Sequence, residues 1–171
     1  MIAEMLDADL PLSQLGEGAY WSKENSTLYW VDIAGRTVHA YHLPDKVHSS
    51  WRLSKEVSFV FPHLDGRLLV GLSDGVYEYD PESGEEAPVA LLDLPSGHRL
   101  NDGKLDPTGR LWVGTINTAD EPSETAALYV PAGRSTGGSR GWLRKCQWEG
   151  LEPRRYRYVS RRYQPRNDMG V

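Results

Sequence analysis

The sequence lacks the features that define several large classes of protein. It has a single cysteine, Cys146, among 171 residues, which excludes an internal disulfide framework and a cysteine-based metal site. No apolar run is long enough for a membrane-spanning helix. The first ten residues carry three acidic and no basic side chains, so we expect no secretory signal. These absences predict a protein of the reducing cytoplasm that does not bind membranes.

Basic residues are also scarce, except at one end of the chain. Residues 1–131 contain nine lysines and arginines against 21 aspartates and glutamates, whereas residues 132–171 contain ten against three. A basic tail of this kind is typical of nucleic-acid binding. The sequence therefore raises that function for residues 132–171 as one hypothesis.

Short alternating runs separated by turn residues fill most of the acidic part. The second strands of three successive units begin at Leu28, Leu68 and Leu111, which are 40 and 43 residues apart. Four-stranded units at this spacing indicate the blades of an all-β β-propeller, with a β-sandwich as the alternative. The predicted strands are 28–33, 37–43, 50–53, 58–64, 67–72, 76–79, 89–94, 101–106, 110–115 and 127–130.

The predicted domain organisation is an incomplete propeller followed by a tail. Residues 1–131 provide about two and a half to three blades, which are too few to close a ring. An open propeller leaves sheet edges and apolar blade faces uncovered, so we expect poor stability or aggregation, and we leave the oligomeric state open. Residues 132–171 show no alternation and are expected to lie outside the propeller.

Three stretches carry a family resemblance. They are residues 15–33 (LGEGAYWSKENSTLYWVDI), 66–81 (GRLLVGLSDGVYEYDP) and 99–115 (RLNDGKLDPTGRLWVGT). They resemble the gluconolactonase/regucalcin (senescence marker protein) family of sugar lactonases, which are six-bladed propellers. Ala19 replaces that family's usual proline. The third stretch follows the family pattern R-x-N-D-G-K-x-D-P-x-G-R-x-W-x-G-T throughout, and the resemblance covers the N-terminal part of a family member.

Two residues occupy corresponding places in the first and third units. Glu17 lies eleven residues before Leu28, and Asn101 lies ten residues before Leu111. Both positions fall on the innermost strand of a blade, which lines the central channel. We therefore expect the two side chains to converge. A carboxylate and an amide oxygen are hard ligands suited to Ca²⁺, Mg²⁺ or Mn²⁺, and Zn²⁺ can also be accepted.

The resemblance also implies roles for individual side chains. Glu17 corresponds to the family's metal-binding glutamate, and Arg99 and Asn101 correspond to its substrate-binding arginine and asparagine. Glu121 aligns loosely with a further substrate-contacting glutamate. Plainer alternatives are a capped turn at Glu17, surface hydrogen bonds at Arg99 and Asn101, and a solvated loop charge at Glu121.

Other polar residues are interpreted as structural. Asp102-Gly103 and Asp106-Pro107 have the composition of turns. His39 and His42 lie three apart on a strand and therefore point to opposite faces. The remaining histidines, His48, His63 and His98, are scattered, so we predict ordinary strand and loop histidines rather than a zinc site.

The function implied by the resemblance is hydrolysis of an aldonolactone, such as gluconolactone, to the aldonic acid. In the family a divalent cation polarises the lactone carbonyl, and a carboxylate base assists the attacking water. Two of the three metal ligands belong to later motifs that this sequence lacks. We therefore expect an inactive lactonase fragment. The alternatives are a calcium- or metal-binding propeller module without catalysis, and nucleic-acid binding through the tail.

The tail has a second interpretation. If permitted codons for residues 145–163 (KCQWEGLEPRRYRYVSRRY) are read one nucleotide later, they can spell N-A-N-G-K-A-W-S-P-D-G-T-[AG]-M-Y-H-A-D-[TI]. This string resembles the family's next motif, N-G-x-x-W-S-x-D-G-x-x-x-Y-x-x-D. We therefore interpret residues 132–171 as frame-shifted and disordered, with the change of frame between Pro131 and Arg140, and we expect no nucleic-acid partner. The nucleotide sequence of the gene tests this hypothesis.

Overall fold

The computed structural model describes residues 9–63, 65–119 and 126–129. These residues form eleven β-strands, all paired antiparallel. The strands are β1 (Gly16–Ser22), β2 (Thr27–Asp32), β3 (Thr37–His42), β4 (Val47–Arg52), β5 (Val57–Pro62), β6 (Leu68–Leu72), β7 (Gly75–Tyr79), β8 (Glu86–Leu91), β9 (His98–Leu105), β10 (Leu111–Asn117) and β11 (Leu128–Tyr129). In this described part no helix is long and apolar enough to cross a membrane.

The strands build three successive blades. The sheet orders are β1-β2-β3-β4, β5-β6-β7-β8 and β9-β10-β11, so each strand pairs with its neighbour in sequence. Such up-and-down sheets that follow one another along the chain are propeller blades, whereas a sandwich would require strands that cross between two sheets. The predicted propeller fold is therefore confirmed, and the sandwich alternative does not hold.

Two apolar layers join the blades. The layer between the first and second blades is built around Val31, Val38 and Val70, and the layer between the second and third around Phe59 and Leu100. Because side chains alternate along a strand, the middle blade contributes to both layers. This explains why β5 and β6 are almost continuously apolar and buried, whereas β2 and β10 alternate between buried and half-buried residues.

Asp32 ties the end of β2 to the chain that enters β1. Its buried carboxylate accepts hydrogen bonds from the backbone N–H groups of Gln14 and Leu15, both at 2.9 Å, and of Gly35 at 3.0 Å. Burial acts to raise the pKa of Asp32, but these three donors outweigh it and the pKa is lowered. Asp32 thus holds the segment that leads directly to Glu17.

The turn predicted at Asp106-Pro107 is present, and hydrogen bonds to the Asp106 side chain stabilise it. The Asp106 carboxylate accepts from the backbone N–H and the hydroxyl of Thr108, at 2.9 and 2.6 Å. It also accepts from Arg110 Nε at 2.7 Å and Trp112 Nε1 at 3.0 Å. These donors, Thr108 and Trp112 foremost, lower the pKa of Asp106, so Asp106 is a structural residue of the third blade.

The prediction of a turn at Asp102-Gly103 is wrong. Both residues lie inside β9, and the glycine is required by packing rather than by chain reversal. A Cβ atom on Gly103 would lie 2.6 Å from the buried ring of Phe59 in the neighbouring blade. A second glycine, Gly71 of β6, faces the same ring. The two glycines thus make room for one aromatic side chain at the interface between blades.

The histidines of the first blade are packed in a way that their spacing did not reveal. His39 is buried, and its ring stacks on Trp30 with centroids 4.9 Å apart. His39 Nδ1 lies 3.1 Å from Nε2 of His48 on the adjacent strand. Burial, together with the neighbouring His48, lowers the pKa of His39. These two side chains are hydrogen-bonded partners within the sheet.

Candidate functional site

One pocket lies where the innermost strands of the three blades meet. It encloses about 240 Å³. Its wall consists of residues from β1, β5 and β9 and from the segments beside them: Leu15, Glu17, Gly18, Ala19, Ile33, Ser58, Asn101, Asp102 and Lys104. The structure therefore brings Glu17 and Asn101, which are 84 positions apart in the sequence, to the same pocket.

The first innermost strand is bulged at the pocket. The pairing of β1 with β2 passes from Glu17–Val31 to Tyr20–Tyr29, so two residues, Gly18 and Ala19, lie opposite one. Gly18 has a φ of 64°, a conformation that favours glycine. A bulge bends its strand and redirects the neighbouring side chains. The bulge and its positive φ therefore explain why a glycine follows Glu17.

The other two innermost strands are also bulged. By the pairing register, their bulges correspond to each other but lie nearer the start of the strand than the bulge of β1. In β5 the pairing passes from Val57–Leu72 to Phe59–Gly71, which leaves Ser58 as the inserted residue. In β9 it passes from Leu100–Thr115 to Asp102–Gly114, which leaves Asn101 inserted. Ser58 and Asn101 both line the pocket. Each of the three described blades therefore contributes the residues of a bulge to this wall.

The register also gives a place in the pocket to Asp102, which the sequence pattern assigns to a turn. Glu17 pairs with Val31, and Asp102 pairs with Gly114. Val31 and Gly114 each stand three residues after the corresponding leucines, Leu28 and Leu111. The ladder equivalent of Glu17 in the third blade is therefore Asp102, and Asn101 is the inserted residue beside it. Counting residues back from the leucine of the second strand does not reveal this equivalence. The count does not show whether the inserted residue of a blade lies before or after the position of interest.

The two carboxylates differ in their surroundings. The Glu17 side chain is exposed to the pocket and has no hydrogen bond or ion pair with another described residue. Asp102 Oδ1 accepts from the backbone N–H of Gly103 at 2.8 Å and lies 3.5 Å from Nζ of Lys104. Glu17 thus has both of its oxygens available to a ligand, whereas Asp102 is partly compensated.

Arg99 does not line the pocket but contacts Asn101, which does. Its guanidinium is largely buried, with Nε 3.1 Å from Oε2 of Glu56. Nη1 donates to the backbone carbonyl of Leu100 at 2.9 Å and to Oδ1 of Asn101 at 3.4 Å. The structure therefore connects the two predicted substrate-binding residues directly. The third, Glu121, lies outside the described residues, as does the tail 132–171.

The donor set of the pocket fits part of a coordination sphere for a divalent cation. The free Glu17 carboxylate is a hard oxygen ligand of the kind that Ca²⁺ and Mg²⁺ prefer. Across residues 9–63, 65–119 and 126–129, no group of three or more histidine, cysteine, aspartate or glutamate side chains could hold a metal ion. A cation bound here would therefore need ligands in addition to those of the described blades.

Comparison with known proteins gives consistent results. Residues 15–139 match the family described as SMP-30/Gluconolactonase/LRE-like region. The 6-deoxy-6-sulfogluconolactonase of Pseudomonas putida is 35% identical over 107 residues, 61% of this chain and 36% of the relative. Regucalcin of Danio rerio is 30% identical over 118 residues, 68% of this chain and 40% of the relative.

A solved structure supports the fold. A calcium-binding protein, regucalcin, from Agrobacterium tumefaciens matches with a TM-score of 0.65 and 32% identity, over 74% of this chain and 42% of its own. The chain thus spans about two fifths of the length of the relatives it matches. Because the family match covers well over half of the sequence, the chain belongs to the SMP-30/gluconolactonase/LRE-like family.

Proposed function

We propose that this chain forms one wall of a sugar lactonase site, which hydrolyses an aldonolactone to the aldonic acid. The observation that carries the proposal is the shared pocket of Glu17 and Asn101, which come from different blades. The substrate class is supported by relatives such as the 6-deoxy-6-sulfogluconolactonase. We further propose that the chain alone turns lactone over weakly or not at all, because the described blades hold only part of a metal site.

Glu17 is proposed as the residue of this wall that holds a divalent cation, which could be Ca²⁺, Zn²⁺, Mg²⁺ or Mn²⁺. Its carboxylate is exposed to the pocket and free of described partners, so ligation would not require breaking an existing bond. When bound, such a cation supplies a Lewis acid that polarises a carbonyl oxygen. Asp102 adds negative charge to the same pocket, and its ion pair with Lys104 offsets part of that charge.

Asn101 is proposed to bind substrate rather than the cation. Its Oδ1 accepts a hydrogen bond from Arg99, which leaves the Nδ2 amino group to donate to an oxygen of the lactone or of a sugar hydroxyl. The bulge at Asn101 places this side chain in the pocket wall. Arg99 then acts from outside the pocket wall, through Asn101 and through its positive charge.

The test is a pair of binding measurements on the full chain, with Mn²⁺ and with gluconate, the product of gluconolactone hydrolysis, as probes. We expect Glu17→Gln to abolish Mn²⁺ binding and Asn101→Ala to abolish gluconate binding. Glu24→Gln is the matched control, because Glu24 belongs to the turn of the same blade and bonds Ser22. Unchanged Mn²⁺ affinity in Glu17→Gln would refute the metal role, and no gluconate binding by the wild-type chain would refute the lactonase site.

A second candidate function is a calcium-binding module without catalysis. It is favoured by the solved relative described as a calcium-binding protein. The two functions separate in the same experiment, because a pure calcium module binds the cation but has no need for affinity toward gluconate. The expected absence of a nucleic-acid partner for residues 132–171 and a cytoplasmic location stay predictions.

A further inference from the structure

We propose that Glu56 is a positioning residue for the substrate-binding side of the pocket, acting through Arg99 on Asn101. The inference rests on the proposed lactonase function and extends it to a residue outside the pocket. Glu56 lies immediately before β5 in the second blade, whereas Arg99 and Asn101 lie in β9 of the third. The contact therefore joins two blades.

The geometry of Arg99 is set by three acceptors. Nε lies 3.1 Å from the Glu56 carboxylate, and Nη1 donates to the carbonyl of Leu100 and to Oδ1 of Asn101. The guanidinium is planar and rigid. Bonds to Nε and to Nη1 therefore fix its plane, and the plane determines where the N–H group directed at Asn101 lies.

The orientation of the Asn101 amide follows from this arrangement. An asparagine side chain can present either its oxygen or its amino group to a given partner. Because Arg99 donates to Oδ1, the oxygen is turned toward Arg99 and the amino group remains for the pocket. Without Glu56, the guanidinium would keep its bond to Leu100 but lose the acceptor that holds Nε, and both Arg99 and the amide could reorient.

Glu56 also compensates the charge of Arg99, whose side chain is only 15% exposed, against 42% for Glu56. An arginine held this far from solvent needs an anionic partner to stay in place. No acidic residue of the pocket wall serves it, since Asp102 pairs with Lys104. Glu56 thus keeps the Arg99 guanidinium in contact with Asn101.

The experiment compares Glu56→Gln with Glu86→Gln in the ¹⁵N-labelled full chain. Glu86 is the matched control because it accepts hydrogen bonds from Ser54, two residues before Glu56, and does not contact Arg99. Gluconate affinity, Mn²⁺ affinity and the Nε–H resonance of Arg99 are measured. We expect Glu56→Gln to weaken gluconate binding about tenfold and to broaden or shift the Arg99 resonance. Mn²⁺ binding should be unchanged, and Glu86→Gln should match the wild type.

Glu56→Asp provides the second variant. It retains the charge on a shorter side chain and should restore part of the affinity, which a merely structural role for Glu56 would not require. If Glu56→Gln fails to fold, Glu56→Asp is expected to show a smaller loss in the same direction. Wild-type gluconate affinity in a folded Glu56 variant would overturn this inference alone. Absence of gluconate binding in the wild type would overturn it together with the proposed function.

Discussion

The acidic side chains of the turns and that of the pocket differ in how their oxygens are used. Asp32, Asp65 and Asp106 each accept several hydrogen bonds, and each has a lowered pKa. The side chain of Glu17, on the innermost strand of the first blade, has no hydrogen bond or ion pair with a described residue. The comparison separates carboxylates that hold the chain together from one that is available to a ligand, although all four are acidic residues of the same repeated blades.

The largest expected effect comes from removing a turn carboxylate. Asp32→Ala leaves three backbone N–H groups without their acceptor, and we expect the free energy of unfolding to fall by about 3 kcal/mol. Urea denaturation of the full chain measures it. The control is Asp45→Ala, which removes an exposed pair with His42 and should cost less than about 1 kcal/mol. Equal losses in the two variants would contradict the distinction.

A smaller loss of stability is expected from a substitution in β9, and it tests whether packing against Phe59 requires a glycine there. Gly103→Ala would drive a methyl group into the ring of Phe59, and we expect a loss of about 2 kcal/mol, typical of overpacking. Gly114→Ala is the matched control in the neighbouring strand, because its added Cβ meets nothing closer than 3.9 Å. The same urea measurement applies. If the control loses as much stability as Gly103→Ala, the Phe59 contact is not the cause.

Acid should weaken the turns specifically. Asp32 has a lowered pKa in the fold and an ordinary value of about 3.9 when unfolded, so the unfolded chain binds its proton first as the pH falls. Its contribution is fully present above about pH 4 and is lost as the pH falls through the folded pKa. We expect stability to decrease below pH 4 less steeply in Asp32→Asn than in the wild type, by up to about 1.4 kcal/mol per pH unit. Parallel pH profiles would exclude Asp32 as a source.

Much of this fold is predictable from the sequence because its signals are local. Alternating apolar residues and turn residues give β2, β3, β6 and β10 to within one or two residues. The predicted starts of the outer strands β4 and β8 lie three residues after the observed ones, since an edge strand such as Val47–Arg52 is polar and little buried. Edge strands bury few side chains, so their composition constrains their ends weakly.

The site is less predictable because its geometry depends on contacts between blades. The family resemblance predicts Glu17 and Asn101 as site residues, and the blade repeat predicts that their side chains converge. The bulges are not predicted, since an inserted residue leaves the alternation on either side intact. The contact of Glu56 with Arg99 is also invisible in the sequence, because it joins residues 43 positions apart through the packing of β5 against β9.

The smallest expected effect on stability comes from a substitution of Glu17 in the pocket. It tests directly whether the Glu17 carboxylate differs from the structural carboxylates of the turns. Glu17→Gln keeps the size of the side chain and breaks no bond with the described residues, so its free energy of unfolding should stay within about 0.5 kcal/mol of the wild type. The same carboxylate-to-amide change at Asp32 removes the negative charge and replaces one of the two accepting oxygens with an NH₂ group that faces a backbone N–H, so it should be clearly destabilising. Urea denaturation in the absence of divalent cations measures both variants. A Glu17→Gln variant as unstable as Asp32→Asn would mean that Glu17 is a structural carboxylate, because a side chain kept for a ligand stabilises the chain only when that ligand is bound.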